Sequence, residues 1–184
     1  MIEDDSRCIA KVCNAGIRAA RGEILVTVDA DSKMTPDSLR EIRQMLRSGL
    51  YIGGGSRSRF DRMSLGIAVT AVCVAAHLVP VMLRSRTPLS GGMFWCYRRD
   101  ALRIGGFDES LVSLEDMDFA VRLSRLGKRF GKKYGTLRRS CIVTSSRKFD
   151  TFGDWYLVRR PDLTRRLFTG HDREAADGFY YNVR

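Results

Sequence analysis

Apolar positions Ile9, Val12, Cys13, Ile17 and Ala20 recur at helical spacing, which predicts an amphipathic helix capped by Ser6 and ended by Gly22. The period then gives way to a continuous run, Ile24-Leu25-Val26-Thr27-Val28, that stops at Asp29-Ala30-Asp31-Ser32. A run of this kind reads as a strand buried on both faces of a parallel sheet. Thr35-Pro36 then suits a helix start, with Leu39, Ile42 and Leu46 as its buried stripe and Gly49 as its end. Leu50 to Gly55 reads as a second strand that runs into a loose basic segment, Ser56 to Arg62. Ser90-Gly91-Gly92 leads into a strand over Met93 to Arg98, and Asp100 to Ile104 is a short helix. Gly105-Gly106-Phe107-Asp108-Glu109 is a turn. Ser113-Leu114-Glu115-Asp116 opens a helix with Phe119, Leu123 and Leu126 on one face and Gly127 as its stop. Ile142-Val143-Thr144 is the last core strand.

Leu65 to Leu83 departs from all of these patterns, being 19 residues long and almost wholly apolar. That length can cross a bilayer. His77 and Pro80 inside it, and its many alanines, argue against a span. So does topology: one crossing would put the residues around Asp29 and those after Arg84 on opposite sides. The expectation is a helix that is buried or lies on a membrane surface, where Arg57, Arg59, Arg62, Arg84 and Arg86 suit anionic headgroups.

Composition narrows the class. The chain has 184 residues, 44% hydrophobic and 29% charged, which suits one globular domain with a real core. A net charge of +11 favours anionic partners, whether nucleotides, nucleic acid or an anionic membrane surface, although charge of this size also serves solubility. Cys8, Cys13, Cys73, Cys96 and Cys141 are odd in number and contain no Cys-x-x-Cys pair, so they read as reduced and mostly buried in a cytoplasmic protein.

Two acidic clusters carry the candidate chemistry. Asp29 and Asp31 are one residue apart at a strand's carboxyl end, where ligands of open α/β sheets bind, and on an extended chain they point the same way. Paired hard oxygens suit Mg²⁺ or Mn²⁺ held together with a substrate phosphate. The structural alternative is a solvated strand end. Glu115, Asp116 and Asp118 form the second cluster. They would stabilise a helix N-terminus by a few tenths of a kcal/mol, roughly, and Ser113 with Asp116 fits a capping box. The functional alternative is a general base in a cleft, which needs burial or a carboxylate neighbour to offset the acidifying helix end.

With both clusters in view, the chain resembles the inverting family 2 glycosyltransferases of the GT-A fold. The matching pieces are Asn14-Ala15-Gly16 with basic Lys11 upstream, Ala20 to Val26 running into Asp29-Ala30-Asp31-Ser32, Gly91-Gly92, Arg98-Arg99, Gly105 to Glu109, and Glu115 to Asp118. The resemblance covers roughly residues 8 to 130. It implies an α/β, GT-A-like (Rossmann-like) mixed, mainly parallel sheet flanked by helices, lacking the usual N-terminal nucleotide-binding strands. One domain over 1–184 would comprise a donor and metal half (1–62), an acceptor half (63–148) and a C-terminal tail (149–184).

The implied reaction is transfer of a single sugar from a nucleotide-sugar donor to a saccharide or lipid-linked acceptor, in cell-surface polysaccharide or glycolipid synthesis. Asp31 would be the metal ligand, with Asp29 beside it at the ribose or the metal waters. Asp116, supported by Glu115, would be the base. Lys11, Asn14, Asp29, Gly91, Gly92 and Arg147 would bind substrate, Arg147 through the basic segment Ser146-Arg147-Lys148. Nucleic acid is not an expected partner. Without the upstream strands, the edge of the Ile24–Val28 strand would need a cover, so self-association is expected.

Two other readings remain at this stage. Haloacid-dehalogenase-like phosphatases also end a strand in Asp-x-Asp, with the first Asp (here Asp29) as nucleophile, but Ser32-Lys33-Met34 departs from their Thr. A non-enzymatic polyanion-binding protein, or an inactive fragment, would use the charge alone.

Overall fold

The computed structural model describes residue 6, residues 8–85, residue 87 and residues 92–181. Its strands are β1 (Ile24–Val28), β2 (Ser32–Met34), β3 (Tyr51–Phe60), β4 (Met93–Tyr97) and β5 (Lys133–Thr144). Its helices are α1 (Ile9–Ala19), α2 (Ser38–Arg47), α3 (Leu65–Ser85), α4 (Arg98–Arg103), α5 (Glu115–Arg129), α6 (Arg147–Phe152), α7 (Tyr156–Arg159), α8 (Pro161–Leu167) and α9 (Arg173–Ala176), followed by a wide terminal turn, Asp177–Tyr181. The strands form one mixed sheet in the order β1-β4-β3-β5-β2. The expected α/β architecture is present, but the expectation of a mainly parallel sheet is corrected. Only β3 and β5 run parallel, whereas the β1–β4, β3–β4 and β2–β5 pairs are antiparallel.

β1 is likewise an edge strand of this sheet, with Leu25 its one buried residue. The strands at the centre are β3 and β4, and small residues let them close up. A Cβ on Gly53 would fall 2.5 Å from the Trp95 carbonyl oxygen, and one on Gly54 would collide with the backbone of Gly135. The indole of Trp95 is fully buried and donates to the Gly55 carbonyl at 2.9 Å.

Apolar side chains fill both faces of the sheet. One face gathers Ile17, Leu25, Phe94, Cys96, Phe107, Phe119 and Leu123 under α1, α4 and α5. Phe107 and Phe119 stack there at 4.3 Å between ring centroids. The other gathers Ile42, Leu46, Met93, Trp95, Leu137 and Ile142 under α2. Each such side chain contributes about 1.5–3 kcal/mol by burial.

Helix registers differ from those expected. α1 begins after Cys8 and not at a Ser6 cap, and buries Ala10, Asn14 and Ile17, while Val12 is 49% exposed. α2 begins at Ser38, because residues 32–34 first pair with β5. Its buried line is therefore Ser38, Ile42 and Leu46, and Leu39 faces out. β3 runs on to Phe60, so much of the basic segment expected to be loose is paired with β5.

α3 starts with Ser64, whose hydroxyl accepts from the Ile67 amide at 3.1 Å. Its first turns pack on the segment around Asp154. Ile67 is fully buried, Thr70 donates to the Asp154 carbonyl at 2.8 Å, and Arg62 bridges Asp150 and Asp154 at 2.7 and 2.9 Å. Farther along, one side of the helix still packs on the body, with His77 stacked on Phe168 at 5.2 Å, while Leu65, Val72, Val79 and Leu83 on the other side are exposed, so the expectation of burial holds for one side only. Among the described residues, no helix is long and apolar enough to cross a membrane.

Candidate functional site

Three strand ends meet at the first acidic cluster. The Asp29 amide donates to the Gly92 carbonyl at 2.9 Å, which joins the end of β1 to the start of β4. The Ser32 amide donates to the Asp29 carbonyl at 3.0 Å, closing a turn over residues 29–32. The Ser145 amide donates to the Asp31 carbonyl at 2.9 Å, and the hydroxyls of Ser32 and Thr144 are 3.0 Å apart, which ties the turn to the end of β5. Gly92 has φ 71°, and a Cβ there would stand 3.1 Å from Asp29 Oδ2 and 2.8 Å from Ile142. A glycine is needed at that point on both counts. Gly91 lies outside the described residues.

The second cluster comes to the same place. α5 is entered through Leu114, a non-glycine residue at φ 62°. Ser113 does not cap the helix: its hydroxyl donates to the Leu167 carbonyl at 2.5 Å, and the Val112 amide donates to the Gly170 carbonyl at 2.9 Å. The capping-box alternative is therefore not formed, and the strained entry is held from the C-terminal layer. Asp116 accepts a hydrogen bond from the Gly92 backbone N–H, so Gly92 touches both clusters.

The electrostatics record this convergence. Enclosure by protein, then the charges of Glu115 and Asp29, raise the Asp116 carboxyl well above its ordinary range, against the Gly92 hydrogen bond. Withdrawal from bulk water and then Asp31 raise Asp29, which is open to solvent at its edge, and Lys148 opposes them. Buried Glu115 is raised by burial and by Asp29. The Cys13 thiol, from α1, is pushed up to about 12 by burial and then by Asp116, Asp29 and Glu115, so it stays protonated and unreactive.

The remaining candidates separate. Lys11 is exposed and is not among the charges acting on Asp29, Glu115 or Asp116. Asn14 is buried and serves as a clamp within the fold. Its amide donates to the Phe107 carbonyl at 2.9 Å and to Glu109 at 2.9 Å, and its oxygen accepts the Phe107 amide at 2.8 Å. Arg147 is exposed, and it is the neighbouring Lys148 that acts on Asp29 and Asp31. Asp118 leaves the cluster by pairing with Arg122, whose guanidinium also donates to the Ile104 and Gly106 carbonyls at 2.6 and 2.7 Å. Arg122 was not singled out in the sequence, although its place four residues after Asp118 signals the pair.

Asp29 and Asp31 suit an ion whose shell a substrate completes. Among the described residues no group of three or more His, Cys, Asp or Glu could hold a metal alone. Mg²⁺ commonly takes only one or two protein carboxylates, with water and phosphate oxygens filling the rest. Burial first, and then neighbouring carboxylates, hold Asp29, Glu115 and Asp116 up; the repulsive part of that, from Asp31 on Asp29 and from Asp29 on Glu115 and Asp116, is what a bound cation would relieve.

The sequence profile of glycosyl transferase family group 2 matches residues 24–160. The chain belongs to this family. The matched stretch of the glycosyl transferase runs from the first residue of β1 to just past α7, and so contains Asp29, Asp31, Gly92, Glu115, Asp116 and Lys148. Membership sets aside the dehalogenase-like alternative with its Asp29 nucleophile. No curated protein matches this glycosyl transferase chain.

Proposed function

We propose that the chain transfers a sugar from a nucleotide-sugar donor to an acceptor hydroxyl with inversion and with a divalent metal. The observation that carries the reading is the half-buried Asp116 carboxyl, withdrawn from bulk water and hydrogen-bonded to Gly92 N–H on the glycine that also cradles Asp29. A base at a helix start is acidified by the helix end; enclosure and two carboxylate neighbours offset that here.

The division of labour follows. Asp31 and Asp29 would hold Mg²⁺ or Mn²⁺, which when bound would offset the charge of the donor diphosphate. The Gly92 N–H orients Asp116, and Glu115 and Asp29 keep it basic. Asp116 takes the acceptor's hydroxyl proton while the acceptor oxygen bonds to the anomeric carbon. The bond from that carbon to the diphosphate oxygen breaks in the same displacement, and the nucleoside diphosphate leaves with the bonding pair. One displacement inverts the carbon.

The acceptor class is a saccharide or a lipid-linked acceptor. The exposed apolar side chains of α3 support peripheral contact with a membrane, in keeping with cell-surface polysaccharide or glycolipid synthesis at the cytoplasmic face. A thermal-shift panel of UDP-, GDP- and dTDP-sugars with and without Mn²⁺ tests donor binding. NMR of the product anomer tests inversion. Stabilisation by no nucleotide-sugar, or retention at the anomeric carbon, would overturn the reading.

A further inference from the structure

Lys148 is a cation seated by aromatic faces beside a pair of carboxylates. It lies in the first turn of α6, directly after the β5 end that the Ser145 amide ties to Asp31. Its ammonium is 4.7 Å from the ring centroid of Tyr180 and 5.6 Å from that of Phe179, both in the terminal turn Asp177–Tyr181. That turn is itself anchored. Phe179 stacks on Phe152 at 5.6 Å and lies parallel to Tyr156 at 6.5 Å. Residues 177–181 thus return to the side of the fold where Lys148 follows β5.

The kind of seat matters. A carboxylate partner in direct contact would neutralise the ammonium, whereas aromatic faces attract it through their quadrupoles and leave its charge available. Among the described residues, Lys148 is the cation whose charge acts on Asp29. Arg147, one residue earlier, is exposed. A lysine held in this way, within electrostatic reach of Asp29 and Asp31, is placed to meet the anionic part of a donor bound there.

We infer that Lys148, positioned by Phe179 and Tyr180, grips the diphosphate of the donor, and that residues 177–181 form this side of the donor pocket. The inference rests on the nucleotide-sugar reading and adds to it a residue and a segment that lie outside the two acidic clusters. The rings act through Lys148 and are positioning residues. The lysine makes the ionic contact. A metal held by Asp29 and Asp31 would lessen their pull on the ammonium and leave it to the phosphate oxygens.

The test uses the full chain with Mn²⁺ and two probes, inorganic pyrophosphate and UDP, measured by calorimetry. Lys148→Ala weakens both at least tenfold, and Lys148→Arg restores most of that loss. Phe179→Ala with Tyr180→Ala weakens both about three- to tenfold, while Tyr180→Phe, which keeps the ring, stays within twofold. Arg125→Ala, on the exposed face of α5, serves as the control for loss of one positive charge. A circular-dichroism melt of each variant separates folding loss from binding loss, and the Lys148→Arg rescue holds whatever the tail variant does to stability. If the parent binds and Lys148→Ala binds equally well, or if Arg147→Ala alone loses binding, the assignment of Lys148 is overturned and the nucleotide-sugar reading stands. If the parent binds neither probe, both fall.

Discussion

Asn14 and Phe107 are joined by two hydrogen bonds, 2.9 and 2.8 Å long, in which the side-chain amide of one pairs with both backbone groups of the other. The pairing is as tight as one rung of a sheet and links α1 to the turn before α5. A Cβ on Gly106, at φ 73°, would strike the Asn14 oxygen, so the turn is cut to fit this amide. Arg122 holds the same turn from the other side, through the Ile104 and Gly106 carbonyls.

Asn14→Ala should therefore act on stability. It leaves the Phe107 amide buried without its acceptor, a loss of about 1–3 kcal/mol, which lowers Tm by about 2–4 °C per kcal/mol in a chain of this size. Nucleotide affinity of the folded fraction should stay within twofold. A stable variant that has lost nucleotide affinity would return Asn14 to the substrate.

Asp31→Asn should weaken Mn²⁺ binding at least tenfold, since a charged oxygen ligand becomes a neutral one. Titration calorimetry on parent and variant gives the ratio directly. The fold should persist, because it is the Asp31 backbone carbonyl that ties the turn to Ser145, at 2.9 Å. Unchanged Mn²⁺ affinity would show that Asp31 is not a ligand.

How much of this was legible in the sequence depended on the range of the interaction. β1, β4 and the body of α5 follow from local runs and spacing, and the structure has them within a few residues of where the pattern predicts. β2 was missed because three residues with an intermediate and two exposed positions carry no period of their own; pairing with β5 makes them a strand. The strand order escaped for the same reason. The apolar run of β1 reads alike at an edge or a centre, and only its antiparallel pairing with β4 decides. In the site, Asp29, Asp31 and Asp116 were visible as acidic motifs. The choice of Lys148 over Arg147 was not, because it depends on rings some thirty residues later in the chain.

The exposed side chains of α3 make a further expectation concrete. Leu65, Val72 and Val79 are spaced by seven, and Leu83 continues the line. Val72→Asp with Val79→Asp should leave Tm within about 2 °C, because exposed positions change stability by about 0.5 kcal/mol or less. The same pair should reduce co-sedimentation with anionic phospholipid vesicles by more than fivefold, since each charge opposes insertion of the apolar line. Equal vesicle binding by parent and variant would remove α3 as a membrane contact.

Asp116→Asn should stabilise the protein while it stops transfer. The carboxyl is raised above its ordinary value of 3.8 by enclosure, then by Glu115 and Asp29. A raised acid favours the native state while it keeps its proton, so its contribution is most favourable below the unfolded value. That contribution declines as pH climbs through the raised native value. Asparagine cannot ionise, and its oxygen can still accept from the Gly92 amide. The variant's advantage should be absent near pH 4 and grow toward pH 8, reaching a rise in Tm of about 2–4 °C, equivalent to about 1 kcal/mol. The melts are compared with chelator present, because a bound metal ion would relieve the same repulsion. Carboxyls remote from Asp116 titrate alike in both proteins and cancel in the difference, whereas Glu115 and Asp29, relieved of its charge, ionise more easily in the variant and add to its advantage. Donor binding in the presence of Mn²⁺ should remain, since the base acts on the acceptor, and turnover should fall by at least a hundredfold. A variant that melts lower than the parent at pH 8 and still transfers sugar would mean that Asp116 serves the helix start and that the base is elsewhere.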